Sequence, residues 1–114
     1  GQWVKGKSHD TFGPVGPYLV TKDEINDVNN LNMELDLNGE RMQTGNTKTM
    51  IFNVDHIVSY VSRYMSLQPG DIITTGTPPG VGMGMKPQKF LKAGDEMRLS
   101  IELLGEQKSK VVAI

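Results

Sequence analysis

The sequence predicts a mainly β fold with one or two helices. Two segments alternate apolar with polar residues and each runs into a turn, whereas a single segment repeats its apolar residues at helical spacing. Strands should therefore outnumber helices. The chain has 114 residues, which suits one small domain with a modest core, and it shows no internal repeat or linker.

The first hairpin is predicted within residues 31–43. Apolar and polar residues alternate strictly over residues 31–37, as expected of a strand with one buried face. Asn38 and Gly39 follow, and both tolerate the positive φ angles that a type I′ turn needs. A return strand is expected over residues 40–43.

A helix is predicted between the two β segments, because six apolar residues recur there at three- and four-residue intervals. The six residues are Val54, Ile57, Val58, Val61, Tyr64 and Met65. Asn53 or Asp55 would cap its start, and Pro69 with Gly70 closes the region. One face of this helix is expected to pack on a sheet.

A glycine-rich loop, residues 76–84, follows a predicted short buried strand at residues 71–75. Its glycine spacing differs from the G-x-G-x-x-G of a dinucleotide site, and Lys86-Pro87 would block the helix that such a site needs. Gly76 and Thr77 could instead offer N–H groups and a hydroxyl to a small anion such as a carboxylate. A tight connection that binds nothing is the alternative.

The second hairpin is predicted near the C-terminus. Residues 97–103 alternate apolar with polar, Gly105 and Glu106 are expected to turn, and residues 108–114 return. This segment repeats the pattern of the first hairpin.

The opening residues 1–8 match the phosphate-loop pattern G-x-x-x-x-G-K-[ST], with Lys7 and Ser8 at its end. A phosphate loop requires a helix after the lysine, yet residues 11–17 hold two prolines and two glycines that disfavour one. A nucleotide-binding module is therefore an alternative that needs a helix from Lys7 onward. The sequence favours another role for Lys7.

Lys7 is the candidate catalytic residue. Ser8, Asp10 and Thr11 crowd it on a proline-bounded segment, so its ammonium could be held as a fixed charge beside a substrate oxygen or a metal. An exposed surface lysine with no role in catalysis is the alternative.

The two histidines carry little signal. His56 falls on the polar side of the predicted helix and is expected to be solvated, and His9 has no partner motif. The sequence contains no H-E-x-x-H or G-x-S-x-G motif and no cluster of acids at metal-ligand spacing.

Composition argues against several classes of protein. Without cysteine, a disulfide framework or a thiol nucleophile is impossible. The 12 Lys and Arg residues nearly balance the 13 Asp and Glu and form no basic cluster, so no nucleic acid is expected as a partner. No run approaches the roughly 20 apolar residues that cross a bilayer, so no membrane partner is expected and a cytoplasmic location is the default.

Three segments together, residues 6–14, 38–52 and 69–82, resemble the fumarylacetoacetate hydrolase family. The first reads Gly-Lys-Ser-His-Asp-Thr-Phe-Gly-Pro, and the last contains Thr-Gly-Thr-Pro-Pro-Gly-Val-Gly. The resemblance is strongest to bacterial 2-oxo-dioate isomerases and hydratases and to proteins called ureidoglycolate lyases. It implies that residues 1–114 are the C-terminal portion of one catalytic domain with a mixed β-roll fold, whose N-terminal portion is expected to be absent.

The resemblance also implies a site. In the family, Mg²⁺ or Mn²⁺ is held by a Glu-x-Glu pair and an Asp that precede the segment matching Gly1, so the carboxylate ligands are expected outside this chain. Lys7 would lie next to the metal and the substrate oxygens, and Thr11 would lie near the metal. The Thr77 hydroxyl and the loop amides around Gly76 would bind the substrate carboxylate.

The implied activity is that of a metal-dependent enzyme on small 2-oxo or 2-hydroxy (di)carboxylic acids, through a metal-stabilised enolate. Hydrolysis of a C–C bond, isomerisation and lyase chemistry all proceed from that enolate, as in 2-hydroxyhepta-2,4-diene-1,7-dioate isomerase or ureidoglycolate lyase. A homodimer is expected, since relatives are commonly dimers. A non-catalytic or truncated family member with a structural role is the alternative.

Overall fold

A computed structural model describes residues 1–113 and contains one four-stranded sheet and two short helices. The elements are α1 (Trp3–Lys7), β1 (Asn32–Leu37), β2 (Glu40–Asn46), α2 (Val54–Val61), β3 (Glu96–Ile101) and β4 (Gly105–Lys110). The predicted fold class, mainly β with one or two helices, is confirmed, although the sequence does not locate α1. No helix within residues 1–113 is long and apolar enough to cross a membrane.

The first hairpin is formed as predicted. β1 and β2 pair antiparallel, and Asn38 and Gly39 take φ angles of 52° and 81°, as a type I′ turn requires. The return strand predicted to end at Gln43 continues to Asn46, because β1 offers pairing partners as far as Asn32.

The second hairpin forms, but its predicted turn is wrong. The chain turns at residues 102–104, where Leu103 takes a φ of 64°, and Gly105 already belongs to β4. The pattern of residue types is misleading here, because the alternation continues into the turn after the strand has ended. β4 ends at Lys110, and Ile114, the end of the predicted return strand, lies outside the described residues.

The two hairpins join into one antiparallel sheet in the order β2-β1-β3-β4. The central strands β1 and β3 pair Leu35 with Leu99, and β2 and β4 form the edges. Alternate residues of a strand point to opposite faces, so one face of the sheet carries the apolar side chains of β1 and β3. The apolar face is the one that meets the loops.

The opposite face of the sheet carries a network of ion pairs. Asp36 on β1 accepts hydrogen bonds from Arg41 on β2 and from Arg98 on β3, and Arg98 also pairs with Glu106 on β4. The hydrogen bond from Arg41, followed by that from Arg98, holds the pKa of Asp36 below its ordinary value. Arg98 and then Lys108 likewise lower the pKa of Glu106. These bonds tie all four strands together.

One of the two predicted caps starts α2. The Asn53 side chain accepts the His56 N–H at 2.8 Å, so Asn53 rather than Asp55 caps the helix. The helix ends at Val61, and Tyr64, predicted on its apolar face, lies beyond it and is 69% exposed. The expected packing of this whole apolar face on the sheet is therefore not seen within residues 1–113.

The strand predicted at residues 71–75 is not formed. No ladder pairs this segment with β1, β2, β3 or β4, and Ile72 is 66% exposed. An extended run of β-branched residues becomes a strand only when a neighbouring strand satisfies its N–H and C=O groups. The segment therefore reaches the glycine-rich loop as an irregular connection.

Residues 1–113 leave much apolar surface uncovered. The accessible surface of the chain is 9478 Å², whereas a folded monomer of this mass would expose about 6,200 Å². The buried apolar residues are Ile25, Leu31 and Leu37, whereas large side chains such as Trp3 and Leu19 are exposed. Much of the apolar surface is thus available to contact other protein surfaces.

Candidate functional site

A row of four side chains crosses the apolar face of the sheet. Leu35 on β1 pairs with Gln43 on β2 and with Leu99 on β3, and Leu99 pairs in turn with Gln107 on β4. Directly paired residues of neighbouring strands share a face, so the two glutamines stand at opposite edges of the sheet with the two leucines between them. Each glutamine holds a different loop.

Gln43 fastens the glycine-rich loop to β2. Its Nε2 donates to the Thr77 hydroxyl oxygen at 2.9 Å and to the Pro78 carbonyl at 2.7 Å, which uses both amide hydrogens. Gln43 itself is half-buried in the edge strand. Its two hydrogen bonds fix the loop at the residue predicted to bind a carboxylate.

Glycines allow the same loop to approach β2 closely. A Cβ on Gly80 would lie 2.1 Å from the Met42 carbonyl oxygen, and Gly80 has a φ of +110°, which side chains rarely tolerate. On the strand, a Cβ on Gly45 would lie 2.6 Å from the Pro78 Cβ. A side chain at either glycine would push the loop away from the strand.

Gln107 holds a second segment at the other edge of the sheet. Its Nε2 donates to the Gly16 carbonyl at 2.7 Å and, more weakly, to the Pro14 carbonyl at 3.4 Å. This segment follows Lys7 and Thr11 in the chain. β4 therefore fastens the far end of the region that carries the predicted catalytic lysine.

A cavity of about 360 Å³ opens between the two fastened segments. Gly76 and Thr77 line one side, Tyr18 lines the other, and Leu35 and Leu99 of the row lie between them on the sheet. The cavity thus combines an apolar base with polar groups on its wall, among them the Thr77 hydroxyl and the Gln43 amide. This arrangement suits a small ligand with one polar end.

A second cavity, of about 390 Å³, lies next to the first and shares its Thr77 wall. Met50, Phe52 and Ile57 line it together with Gly76 and Thr77. Because both cavities include these two loop residues, the loop forms the wall between them.

The structure brings together two of the four predicted site residues. Gly76, with a φ of +100°, and Thr77 are adjacent and line both cavities. Lys7 is the last residue of α1, Thr11 has a φ of 68°, and both are exposed. In the described chain neither lines either cavity. The roles assigned to all four residues stay predictions.

The course of the chain around Lys7 excludes the nucleotide-binding alternative. A phosphate loop needs a helix that begins at the lysine, whereas α1 ends there and residues 8–14 form bends and turns. The match of residues 1–8 to the phosphate-loop pattern is therefore coincidental.

Neither histidine lines the two cavities. His56 is exposed on α2 and stacks between Phe52 and Tyr60, with ring centroids 4.7 and 6.2 Å away. Its predicted solvated position is confirmed. His9 is also exposed and lies beside Phe12, with 5.0 Å between the ring centroids.

The described residues do not build a metal centre. Within residues 1–113, no three His, Asp or Glu side chains lie close enough together to hold a metal ion. Lys7 offers an ammonium, which has no lone pair for a cation, and Thr11 offers only a neutral hydroxyl. Mg²⁺ or Mn²⁺ would need carboxylate ligands from outside these residues.

Comparisons with known proteins identify close relatives. The family model described as fumarylacetoacetate (FAA) hydrolase C-terminal matches residues 1–112. The 2,4-didehydro-3-deoxy-L-rhamnonate hydrolase of Sphingomonas sp. (strain SKA58) is 65% identical over 111 residues, which make up 96% of this chain and 39% of that protein.

Two solved structures share the fold. Fumarylacetoacetate hydrolase from psychrophilic Exiguobacterium antarcticum is 46% identical with a TM-score of 0.93, over 96% of this chain and 39% of that one. Maleylpyruvate hydrolase from Sphingobium sp. SYK-6, in complex with manganese (II) ion and pyruvate, is 40% identical with a TM-score of 0.83, over 91% of this chain and 37% of that one. The chain thus spans about two fifths of the length of the relatives it matches. As the motifs imply, it belongs to the fumarylacetoacetate hydrolase family.

Proposed function

We propose that the protein is an enzyme that acts on a small 2-oxo acid and that the loop at Gly76 and Thr77 binds the substrate's carboxylate. The observation that carries this proposal is the Thr77 hydroxyl, which lies on the wall of a cavity and is held there by Gln43 at 2.9 Å. Membership of a family whose relatives are named hydrolases supports it.

Thr77 supplies the kind of donor that a carboxylate needs. Its hydroxyl oxygen accepts a hydrogen bond from Gln43, so its own hydrogen remains for a ligand oxygen. Gly76 has no side chain to shield the backbone beside it, and loop N–H groups can add further bonds to an anion. A hydrogen bond to a charged group contributes about 1.5–3 kcal/mol, enough to orient a small acid.

Lys7 is proposed to supply a positive charge at the reacting end of the substrate. It is exposed and forms no ion pair with the carboxylates of residues 1–113, so no described residue neutralises it. A fixed ammonium stabilises the negative charge that develops on a 2-oxo group as a C–C or C–H bond breaks. Thr11 would lie on the same side, near the metal.

A divalent cation, Mg²⁺ or Mn²⁺, belongs to the proposal. The maleylpyruvate hydrolase structure contains manganese and pyruvate, which supports both a divalent cation and a 2-oxo acid ligand. Such a cation polarises a 2-oxo group. Its ligands are proposed to lie outside residues 1–113, because no three His, Asp or Glu side chains among the described residues are placed to hold a metal ion.

The test is the steady-state kinetics of Thr77→Val and Lys7→Ala in the full natural protein. The assay follows pyruvate release from a panel of 2,4-dioxo acids, since the Sphingomonas relative is named for a 2,4-didehydro-3-deoxy acid. Each variant is expected to lower kcat/KM by about 100-fold, the range seen when one preorganised charge-stabilising group is lost. Thr77→Val should act mainly on KM, and Lys7→Ala mainly on kcat.

Thr74→Val is the matched control, because Thr74 is an exposed threonine on the same connection and lines neither cavity. It should leave kcat/KM unchanged. Wild-type kinetics in both Thr77→Val and Lys7→Ala would refute the assigned roles. If the natural protein turns over no member of the panel with Mg²⁺ or Mn²⁺ added, the non-catalytic alternative is favoured instead.

A further inference from the structure

We propose that Gln43 is a positioning residue that aims the hydroxyl hydrogen of Thr77 at the substrate's carboxylate. The inference rests on the proposed function, because it presumes that Thr77 binds that carboxylate. Gln43 lies on the edge strand β2 and lines the first cavity, and its side chain bonds to the loop at Thr77 and Pro78.

The direction of the hydrogen bond decides what Thr77 can do. A threonine hydroxyl has one hydrogen to donate and two lone pairs that accept. The Gln43 Nε2 donates into the Thr77 oxygen at 2.9 Å, which occupies a lone pair and leaves the hydrogen unused by Gln43. Thr77 can therefore act as a donor toward the cavity, and a carboxylate accepts only.

Pro78 fixes the orientation of the Gln43 amide. Its carbonyl accepts the second Nε2 hydrogen at 2.7 Å, and a carbonyl cannot donate in return. A reversed amide would bring the Gln43 Oε1 against the Pro78 oxygen, with two acceptors facing each other. Gly45 allows Pro78 to pack on the strand beside this bond, so the loop and the amide are held in one arrangement.

Two substitutions at Gln43 test whether the direction of the hydrogen bond matters or only its presence. Gln43→Glu keeps the side-chain length but presents only acceptors, so it would capture the Thr77 hydrogen and place a negative charge behind the carboxylate site. Gln43→Met keeps the length and removes both donors. We expect Gln43→Glu to raise KM by about 50-fold and Gln43→Met by about 10-fold, with kcat lowered less than threefold in each.

The experiment measures KM, kcat and the thermal midpoint for the full natural protein carrying Gln43→Glu, Gln43→Met, Thr77→Val or the pair Gln43→Met and Thr77→Val. If Gln43 affects KM through the Thr77 hydroxyl, as proposed, the pair should show a KM no higher than Thr77→Val alone. A merely structural glutamine would instead lower the thermal midpoint and leave KM unchanged, or add its effect to that of Thr77→Val.

Gln88 provides the matched control. Its Nε2 donates to the Met83 carbonyl near the end of the same loop at 2.9 Å, but Gln88 lines neither cavity. Gln88→Glu and Gln88→Met should leave KM within twofold of wild type.

The outcomes separate this inference from the proposed function. If Thr77→Val raises KM but both Gln43 variants stay within twofold of wild type, the positioning role is refuted and the carboxylate site survives. If Thr77→Val also leaves KM unchanged, both proposals fall. If Gln43→Glu does not fold, Gln43→Met and the paired variant still test the inference. It is refuted if the effects of Gln43→Met and Thr77→Val on KM add fully in the paired variant.

Discussion

The glycine-rich loop at Thr77 and the segment at Lys7 contain the two predicted halves of one site, but in the described chain only the Thr77 loop is bonded and packed against the sheet at the predicted residue. The Thr77 loop is bonded to β2 by Gln43 at two atoms and packs against the strand through Gly80. The Lys7 segment is exposed, and within residues 1–113 its hydrogen bond to β4 lies beyond the lysine, where Gln107 donates to the Gly16 carbonyl.

This difference bears on the two proposed roles, carboxylate binding by the Thr77 loop and charge stabilisation by Lys7. The sheet preorganises the half that would bind a carboxylate, so little entropy is lost there when a ligand arrives. A free lysine side chain, in contrast, loses about 2 kcal/mol of rotamer entropy when it is held in one position. In its proposed role, Lys7 would need a further partner, such as the substrate itself, to hold its charge in place.

Gly80→Ala is expected to have the largest effect on stability and tests whether the Thr77 loop is the more tightly packed of the two segments. The new Cβ would meet the Met42 carbonyl oxygen at 2.1 Å, in a backbone with φ +110°. We expect a loss of about 2–4 kcal/mol in the free energy of unfolding, measured by urea denaturation of the full natural protein.

The control for Gly80→Ala lies in the other half. A Cβ on Gly13 would meet nothing within 4 Å, so Gly13→Ala should change the unfolding free energy by less than about 0.5 kcal/mol. Equal losses in the two variants would show that the Lys7 segment is as tightly packed as the Thr77 loop and would abolish the contrast.

A smaller effect is expected when either glutamine of the row is replaced. Gln107→Met should loosen residues 14–18, and Gln43→Met should loosen residues 76–80. In each case the free energy of local opening should fall by about 1 kcal/mol, which makes amide exchange roughly fivefold faster. Hydrogen exchange read by mass spectrometry reports both peptides in one experiment. Each variant is the control for the other. If either variant speeds exchange equally in both peptides, the Gln43 and Gln107 hydrogen bonds do not hold their segments independently.

The first hairpin and the turn type at Asn38 and Gly39 could be predicted from sequence because their causes are local. The second turn could not, since the alternation of residue types does not stop at Ile101 where β3 ends. The buried strand at residues 71–75 also fails, because strand formation depends on a neighbour that the local sequence does not specify.

The positions of Gln43 and Gln107 on the apolar face could not be predicted from the sequence for a different reason. In a regular hairpin closed by a two-residue turn, Leu35 would face Met42, but a bulge between Leu35 and Asp36 shifts its partner to Gln43. Gln107 was obscured by the misplaced second turn. Gly76 and Thr77, in contrast, could be singled out because glycine, threonine and proline at a tight loop already predict exposed donors.

The smallest expected effect concerns the ion-pair network on the opposite face of the sheet. Asp36 bonds to Arg41 on β2 and to Arg98 on β3, and the bond from Arg41 is the main cause of its lowered pKa. A carboxyl whose pKa is lower in the folded state stabilises the fold above its unfolded pKa of about 3.9, and this stability is lost as the pH falls through the folded value. Glu106 adds a loss of the same sign.

Asp36→Asn tests this support. Urea denaturation at pH 7 should find the variant less stable than wild type, and the difference should shrink below about pH 4 as Asp36 of the wild type becomes protonated. The two peptides at residues 14–18 and 76–80 should exchange faster by the same factor, because the network joins the strands beneath both. A difference in stability that stays constant from pH 7 to pH 3 would mean that Asp36 acts through packing instead of charge, and unequal exchange would assign the network to one half of the site.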